Sequence, residues 1–435
     1  MITEIAKQIK TLKNYKAPGE DGITGELLKT GAENLVKYIH RLISLIWQKK
    51  EIPKKWKTAL VYPIHKKGDK QTCNNYRGIA LLNVTYKILS YCILDRIKPW
   101  AEEIIGDQAG FRQNRSTIDQ IFILCQVLQK LGMTTGLWQG DAISPVKFNI
   151  VLEKVVREAV LDKEGVKLGE NNIGILAYAD DIVLMAESKD KLKQQSKQLI
   201  NAAKRVGLEI NAEKTEYMVV QRHEQIGCRN EVLEVENYKF KRMQQFKYLG
   251  TLITQQNEIG TEIKARIQAA NKCYFGLKKL LKSRVISKNL KSQIYRTLIK
   301  PVVTYGSETW TMTKKDENAL LVFERKVLRK IYGPRIDEPT GEWRIRKNKE
   351  LQNLYQRPNI KEDITKRRLK WAGQSWRKTG SLIKIVQANA PKGKRPLGRP
   401  RLHWENKIKE DIEKVRPGLD WKELALDRET WRRIC

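Results

Sequence analysis

The sequence has few cysteines, and their arrangement excludes several functions. Its six thiols, Cys73, Cys92, Cys125, Cys228, Cys273 and Cys435, are far apart, with no C-x-x-C pair. That spacing argues against a disulfide framework and against a zinc finger or knuckle, and it favours a reducing compartment. His223 and Cys228 lie close together, but two donors do not complete a tetrahedral site. No apolar run approaches 18 residues and the first residues lack a secretory apolar segment, so the expectation is a soluble, intracellular chain, nuclear or cytoplasmic. No internal repeat is present.

Basic charge, in contrast, is abundant. Lys and Arg total 84 against 49 acidic residues, a formal net charge of +35 over 435 residues. The excess is spread along the whole chain, and a field of that size favours a polyanion, nucleic acid being the commonest. Structural packing of a ribosomal kind, an acidic protein partner or an anionic membrane surface are the alternatives. Hydrophobic content of 41% is ordinary for a folded protein, and the length suggests about two to three domains.

Against this basic background, Asp180 and Asp181 stand inside the apolar run from Ile173 to Met185. An ionised carboxylate taken out of water costs several kcal/mol unless a partner compensates it. The pattern reads as strand, two-residue turn, strand, with both acids at the hairpin tip. Two readings are open: a divalent-cation site, or an ordinary turn rich in Asp.

Around the hairpin the periodicity predicts mostly helix before residue 60, with a turn at Ala17–Gly22 and an amphipathic stripe through Leu35, Ile39, Leu42, Ile43 and Ile46, then a strand over Ala59–Lys70 that ends in a basic turn, and a helix over Val84–Ile97. Ser116 and Asp119 form a capping-box pattern ahead of a helix to about Lys130. Residues 188–206 predict a helix closed by Gly207, and Leu208–Val220 a hairpin around Asn211–Lys214. Helices predominate from 258 onward, and the Pro/Gly-punctuated basic stretch 391–401 reads as an extended arm. The tryptophans between Trp404 and Trp431 read as packing residues in preference to base-stacking platforms. This segregation of strands and helices indicates an α+β fold.

Seven segments, in order, resemble the reverse transcriptase of non-LTR (LINE-type) retrotransposons. They include Lys16–Ile23, Asn75–Leu82, Gly110–Thr117, Gly136–Pro145, Ala177–Asp181, Gly207–Thr215 and, at the primer-grip motif, Phe246–Gly250. The resemblance implies a right-hand polymerase, with fingers and the start of the domain over 1–130, palm over 131–257, helical thumb over 258–345 and a basic C-terminal region over 346–435. It implies RNA-directed DNA synthesis, with an RNA template, a DNA primer or target and deoxynucleoside triphosphates as partners and no membrane. Two Mg²⁺ ions bridged by carboxylates would hold the in-line displacement. Asp180 and Asp181 would then be catalytic metal ligands and Lys214 the proton donor to pyrophosphate. Arg77, Lys87, Arg112, Gln139 and Gly140 would contact nucleotide or template, and Tyr248, Leu249 and Gly250 would form the primer grip.

A palm of this family needs a third carboxylate on a strand ahead of Gly136. Only Leu131–Thr135 separates the preceding helix from that motif, with no acid and no room for a strand. The expectation is an incomplete palm in a truncated copy, without motif A or the endonuclease that precedes it in intact elements, and with polymerase activity lost or impaired. The alternative is a non-enzymatic nucleic-acid-binding relic.

Overall fold

The computed structural model describes the chain except residues 1, 67, 107, 113–114, 129–143, 160–164, 169, 221–230, 339–340 and 390–402. Helices α1 (Ile2–Thr11), α2 (Gly25–Thr30) and α3 (Ala32–Lys49) form the N-terminal cluster with α4 (Val84–Ile104). Ile5, Ile9, Leu28, Ile39, Ile43 and Ile88 are among its buried residues; of the stripe predicted on α3, Ile39 and Ile43 are buried, Leu35 and Ile46 partly so, and Leu42 is exposed. Between α3 and α4 the strands β1 (Leu60–His65) and β2 (Tyr76–Leu81) pair antiparallel, with most of their side chains exposed. Helix α4 runs a turn or two beyond the predicted end, past Pro99.

The central part begins with α5 (Thr117–Leu128) and α6 (Ser144–Glu158). The short strands β3 (Val166–Leu168) and β4 (Asn171–Ile173) pair with each other, as do β5 (Ile175–Tyr178) and β6 (Asp181–Leu184). Helix α7 (Lys189–Arg205) follows, and Gly207 closes it with φ +75. The predicted hairpin around Asn211–Lys214 does not form. Asn211 instead turns the chain, accepting from Lys214 N through both its carbonyl (3.1 Å) and its side chain (3.2 Å). The strand after it, β7 (Glu216–Tyr217), pairs in parallel with β9 (Tyr238–Arg242), which also pairs with β8 (Val232–Val235). Parallel pairing requires a crossover, so the return strand comes from farther along the chain than a local reading could find. A last hairpin, β10 (Gln245–Tyr248) with β11 (Thr251–Thr254), completes this part.

Next come α8 (Ile259–Gly276), α9 (Lys278–Lys282) and α10 (Lys288–Ile294), which continues through a π-helical stretch, Tyr295–Ile299, into α11 (Lys300–Val303), and then α12 (Lys314–Tyr332). The hairpin β12 (Arg335–Ile336) with β13 (Trp343–Arg344) leads to α13 (Asn348–Tyr355), α14 (Ile360–Trp376), α15 (Leu382–Ala388), α16 (Trp404–Glu413), α17 (Trp421–Leu424) and α18 (Arg428–Ile434). Mixed small sheets and many helices make the fold α+β, as the sequence indicated.

Helix α14 joins two cores. Its Ile360 and Ile364 pack with α8 to α13, whereas Leu369, Trp371 and Ala372 pack with α5, the β5–β6 hairpin and the C-terminal helices. Trp404, Trp421 and Trp431 are all buried in that second core, in edge-on and tilted contacts with one another and with Phe122 and Trp371. Gly373 is needed here, because a Cβ on it would lie 2.2 Å from the Trp431 indole nitrogen, which donates to Leu369 O at 3.0 Å. Asp119, read from sequence as part of a capping box, has a different role. Ser116 caps through Ile118 N (3.1 Å), and the buried Asp119 carboxylate accepts from Trp371 Nε1 (2.9 Å) and Lys378 Nζ (2.6 Å). An acid 252 residues away from its indole partner cannot be assigned by a local pattern.

Arg368, fully buried on α14, pairs with Asp411 on α16 and donates to Trp310 O at 3.2 Å. Removing one member leaves an uncompensated buried charge, so Arg368→Ala is expected to lower the unfolding free energy by about 3–5 kcal/mol in urea titration. The double change Arg368→Met/Asp411→Leu should recover most of that loss.

Candidate active site

The β5–β6 hairpin turns through Ala179 and Asp180, with Tyr178 paired to Asp181. Ala179 has φ +54, a left-handed conformation that a Cβ disfavours. The segment Gln108–Gly110 holds it there. Gln108, only 3% exposed, donates from Nε2 to Ala179 O (3.1 Å), and its Oε1 accepts from Ala179 N (3.0 Å) and Gly110 N (2.9 Å). Ala109 N donates to Ala177 O at 2.9 Å. The carboxamide thus meets the strand end as a neighbouring strand would. Gly110 permits the approach, since a Cβ there would sit 2.2 Å from Ala179 N. Asn149, buried on α6, donates to Gly110 O at 2.7 Å and fixes the clasp from behind.

The hairpin's two strands form a sheet by themselves among the described residues. At their tip Asp180 and Asp181 are half-buried, and loss of solvent raises both carboxyls above the usual range. Asp180 adds to the rise of Asp181, while Lys214 and Arg77 oppose that of Asp180. The structure therefore brings Asp180, Asp181, Lys214 and Arg77 to one place from three separate segments.

Tyr248 also faces this group. It is 1% exposed, and burial, followed by Asp181 and Tyr178, drives its hydroxyl well above the ordinary tyrosine value. That hydroxyl is buried without a hydrogen-bond partner among the described residues. Leu249 (φ +47) and Gly250 (φ +81) form the adjoining turn. Tyr305 donates to Leu249 O at 2.8 Å, and Arg266 donates to Gly250 O while lying 4.7 Å from the Tyr305 ring centroid. Glu262 completes the contact, taking Leu252 N (2.8 Å) and Arg266 Nε (2.5 Å).

Lys87 and Arg112, also singled out by resemblance, have other neighbours. Lys87 sits half-buried on α4 near Asp21; desolvation lowers its ammonium and Asp21 partly restores it. Arg112 is consumed internally, donating to Glu102 Oε2 (2.8 Å) and to the carbonyls of Gly106 (2.6 Å), Gln108 (3.1 Å) and Glu102 (3.2 Å). It ties down the loop that carries Gln108. Gln139, Gly140 and Asp141 lie outside the described residues. Gln108, Asn149, Arg266 and Tyr305 were not anticipated; the one sequence signal was Gly110, whose backbone approach to the hairpin gives Gln108 its reach.

As a metal centre the donor set is incomplete among the described residues. Among the described residues no three His, Cys, Asp or Glu side chains converge on one point. Two carboxylates that burial makes reluctant to ionise do not meet the octahedral demand of a Mg²⁺ pair.

Comparison with known proteins gives these features a family context. A model of the reverse transcriptase (RNA-dependent DNA polymerase) family matches residues 122–253, the stretch holding the hairpin, Lys214 and Tyr248. The chain carries a reverse transcriptase domain of the non-LTR retrotransposon type. It is 25% identical over 283 residues to an uncharacterised transposon-derived protein of Caenorhabditis elegans, covering 61% of this chain and 96% of that protein. It is 24% identical over 404 residues to the probable RNA-directed DNA polymerase from transposon BS of Drosophila melanogaster, and 21% over 403 residues to that of the mobile element jockey. Each of these alignments covers 76% of this chain but only 44% of the fly protein, so the chain spans less than half of those two relatives.

Two outcomes follow for the reverse transcriptase hairpin. Gln108→Ala strands three buried backbone groups, each worth about 1–3 kcal/mol when unpaired. The net loss after relaxation is expected on the order of 3 kcal/mol in chemical denaturation. Asp180 and Asp181 titrate higher folded than unfolded, so the folded state holds more protons between those values. Stability then falls as pH rises through that window and is level above it. Asp181→Asn should therefore raise Tm at pH 7 in metal-free buffer, with the gain fading as the pH drops toward the ordinary Asp value of about 3.9.

Proposed function

We propose that this chain is an RNA-directed DNA polymerase by descent that grips template and primer but transfers nucleotides poorly. One observation carries the reading: the Asp180–Asp181 tip gathers Arg77, Lys214 and Tyr248 about it, yet no third acid joins the two aspartates among the described residues. The basic groups and the buried tyrosine suit a phosphate-bearing substrate beside the hairpin. Two carboxylates are too few for the Mg²⁺ pair that reverse transcriptases of this type would use.

In this reading the chain is a right hand, with fingers over 1–130, an incomplete palm over 131–257, a helical thumb over 258–345 and a basic C-terminal region over 346–435. Asp180 and Asp181 bind what divalent cation the site takes. Lys214 and Arg77 face the triphosphate, Lys87, Gln139 and Gly140 border nucleotide or template, and Tyr248, Leu249 and Gly250 position the primer end. Arg112 acts through the loop it anchors. The partners are an RNA template, a DNA primer or target and deoxynucleoside triphosphates, inside the cell. No helix among the described residues is long and apolar enough to cross a membrane.

The test is primer extension on a homopolymer RNA template with Mg²⁺ and with Mn²⁺, beside Asp180→Ala/Asp181→Ala. Incorporation indistinguishable from the double variant, with template–primer binding retained, is the expected result. Brisk incorporation that the double variant abolishes would mean that another acid completes the site, and the impairment would be refuted.

A further inference from the structure

A second basic surface lies away from the aspartate hairpin, where α8 and α9 meet α12. Phe275, near the end of α8, is 57% exposed although it is a large apolar ring. Lys278 Nζ stands 5.3 Å from its centroid and Lys326 Nζ 5.6 Å. These lysines come from different helices, so the ring marks the seam between them. Lys282 lies one turn beyond Lys278, and Lys330 one turn beyond Lys326. Lys330 is close enough to Lys282 and Lys278 that their charges add to the desolvation lowering its ammonium.

Four ammonium groups are therefore crowded at one seam, and none makes an ion pair with a described carboxylate; Lys326 donates to Asn271 Oδ1 at 3.0 Å and also stands 5.6 Å from the Tyr274 ring centroid. Glu324, the buried acid nearest in sequence on α12, is taken up by Tyr295 (2.9 Å) and Ile360 N (2.8 Å). Folding has thus assembled positive charge at a cost and left it uncompensated around an exposed aromatic face. An anion relieves the repulsion, but a bare anion gives no use for the ring. A polyanion that also offers flat π-faces uses both.

We propose that this seam is a contact for single-stranded nucleic acid, in which Phe275 stacks on a base and Lys278, Lys282, Lys326 and Lys330 take the neighbouring phosphates. The inference rests on the nucleic-acid-binding part of the function proposed above and adds a site separate from the hairpin. An exposed ammonium over a ring holds it by only about 0.5–1 kcal/mol. A base stacked on an aromatic ring is worth about 1–3 kcal/mol. The base therefore displaces a lysine from the ring, and that lysine is then free for phosphate. Duplex, with its bases already stacked on each other, gains from the lysines alone.

The experiment is fluorescence anisotropy of the full chain with fluorescein-labelled oligothymidine, with duplex of equal length and with heparin, each over a KCl titration. All substituted side chains are at the surface, and circular dichroism checks that the variants fold. Phe275→Ala should weaken oligothymidine binding about 5- to 100-fold with the salt slope unchanged, and leave duplex and heparin alone. Phe275→Trp should retain binding. Replacing the four lysines by Gln should lower the slope of log K against log[KCl] by up to about 3, at about 0.7 per phosphate contact. Unchanged affinity and slope in both variants, while the parent chain binds, would overturn the seam and leave the proposed function standing. Equal loss of oligothymidine and heparin in Phe275→Ala would overturn the stacking. A parent chain that binds no nucleic acid would remove the proposed function itself, and this inference with it.

Discussion

The candidate site depends on one primary amide. Two adjacent aspartates can stand at the end of a two-stranded hairpin only if the backbone between the strands turns sharply, and Ala179 makes that turn at φ +54. Nothing in an alanine favours that conformation. Gln108 supplies the compensation by bonding both the N–H and the C=O of Ala179. Because the amide is buried, its bonds have no competition from water, and leaving them unmade is expensive. Gly110, Asn149 and Arg112 then serve mainly to hold Gln108 in place.

That clasp also bears on how the hairpin survives without a neighbouring strand among the described residues. Ala109 and Gln108 satisfy the end of β5, while α5 and the tryptophan-rich C-terminal helices cover the face presented by Leu176, Val183 and Met185. Asp119 links those layers, with its carboxylate shared between Trp371 and Lys378. The C-terminal helices are therefore part of the wall behind the hairpin. Their tryptophans fill space there, in edge-on contacts that favour aromatic packing, and are not displayed to solvent.

Electrostatically the molecule is lopsided, and function follows from where the imbalance is left unresolved. With a net charge of +35, acids are scarce, and many are committed to pairs such as Arg112–Glu102, Arg344–Glu350 and Arg368–Asp411. Asp180 and Asp181 are acids that burial pushes toward the neutral form, as it does Glu308 and Glu324. The lysines about Phe275 are the converse, cations crowded together with no described carboxylate to relieve them. Both are places where a ligand of the right charge stabilises the protein more than its own side chains do.

The sequence alone determined the features that depend on local periodicity and chemical type. The amphipathic spacing of Ile39, Ile43 and Ile46 gave a helix, Gly207 ended another, and an acid pair within an apolar run gave a hairpin tip. Ordered motifs were enough to place the chain among reverse transcriptases, because each motif is a short contiguous stretch. Contacts between distant segments were decided only by the tertiary structure. Asp119 looked like a cap until Trp371 and Lys378 arrived from the far end of the chain. Leu208–Val220 looked like a hairpin because alternation cannot show that β7 finds its partner in parallel at β9. Arg112 looked like a phosphate ligand, but its reach to Glu102 and three carbonyls depends on how the loop folds back. Gln108 gave no sequence signal, because an amide acquires its role only from what is buried against it.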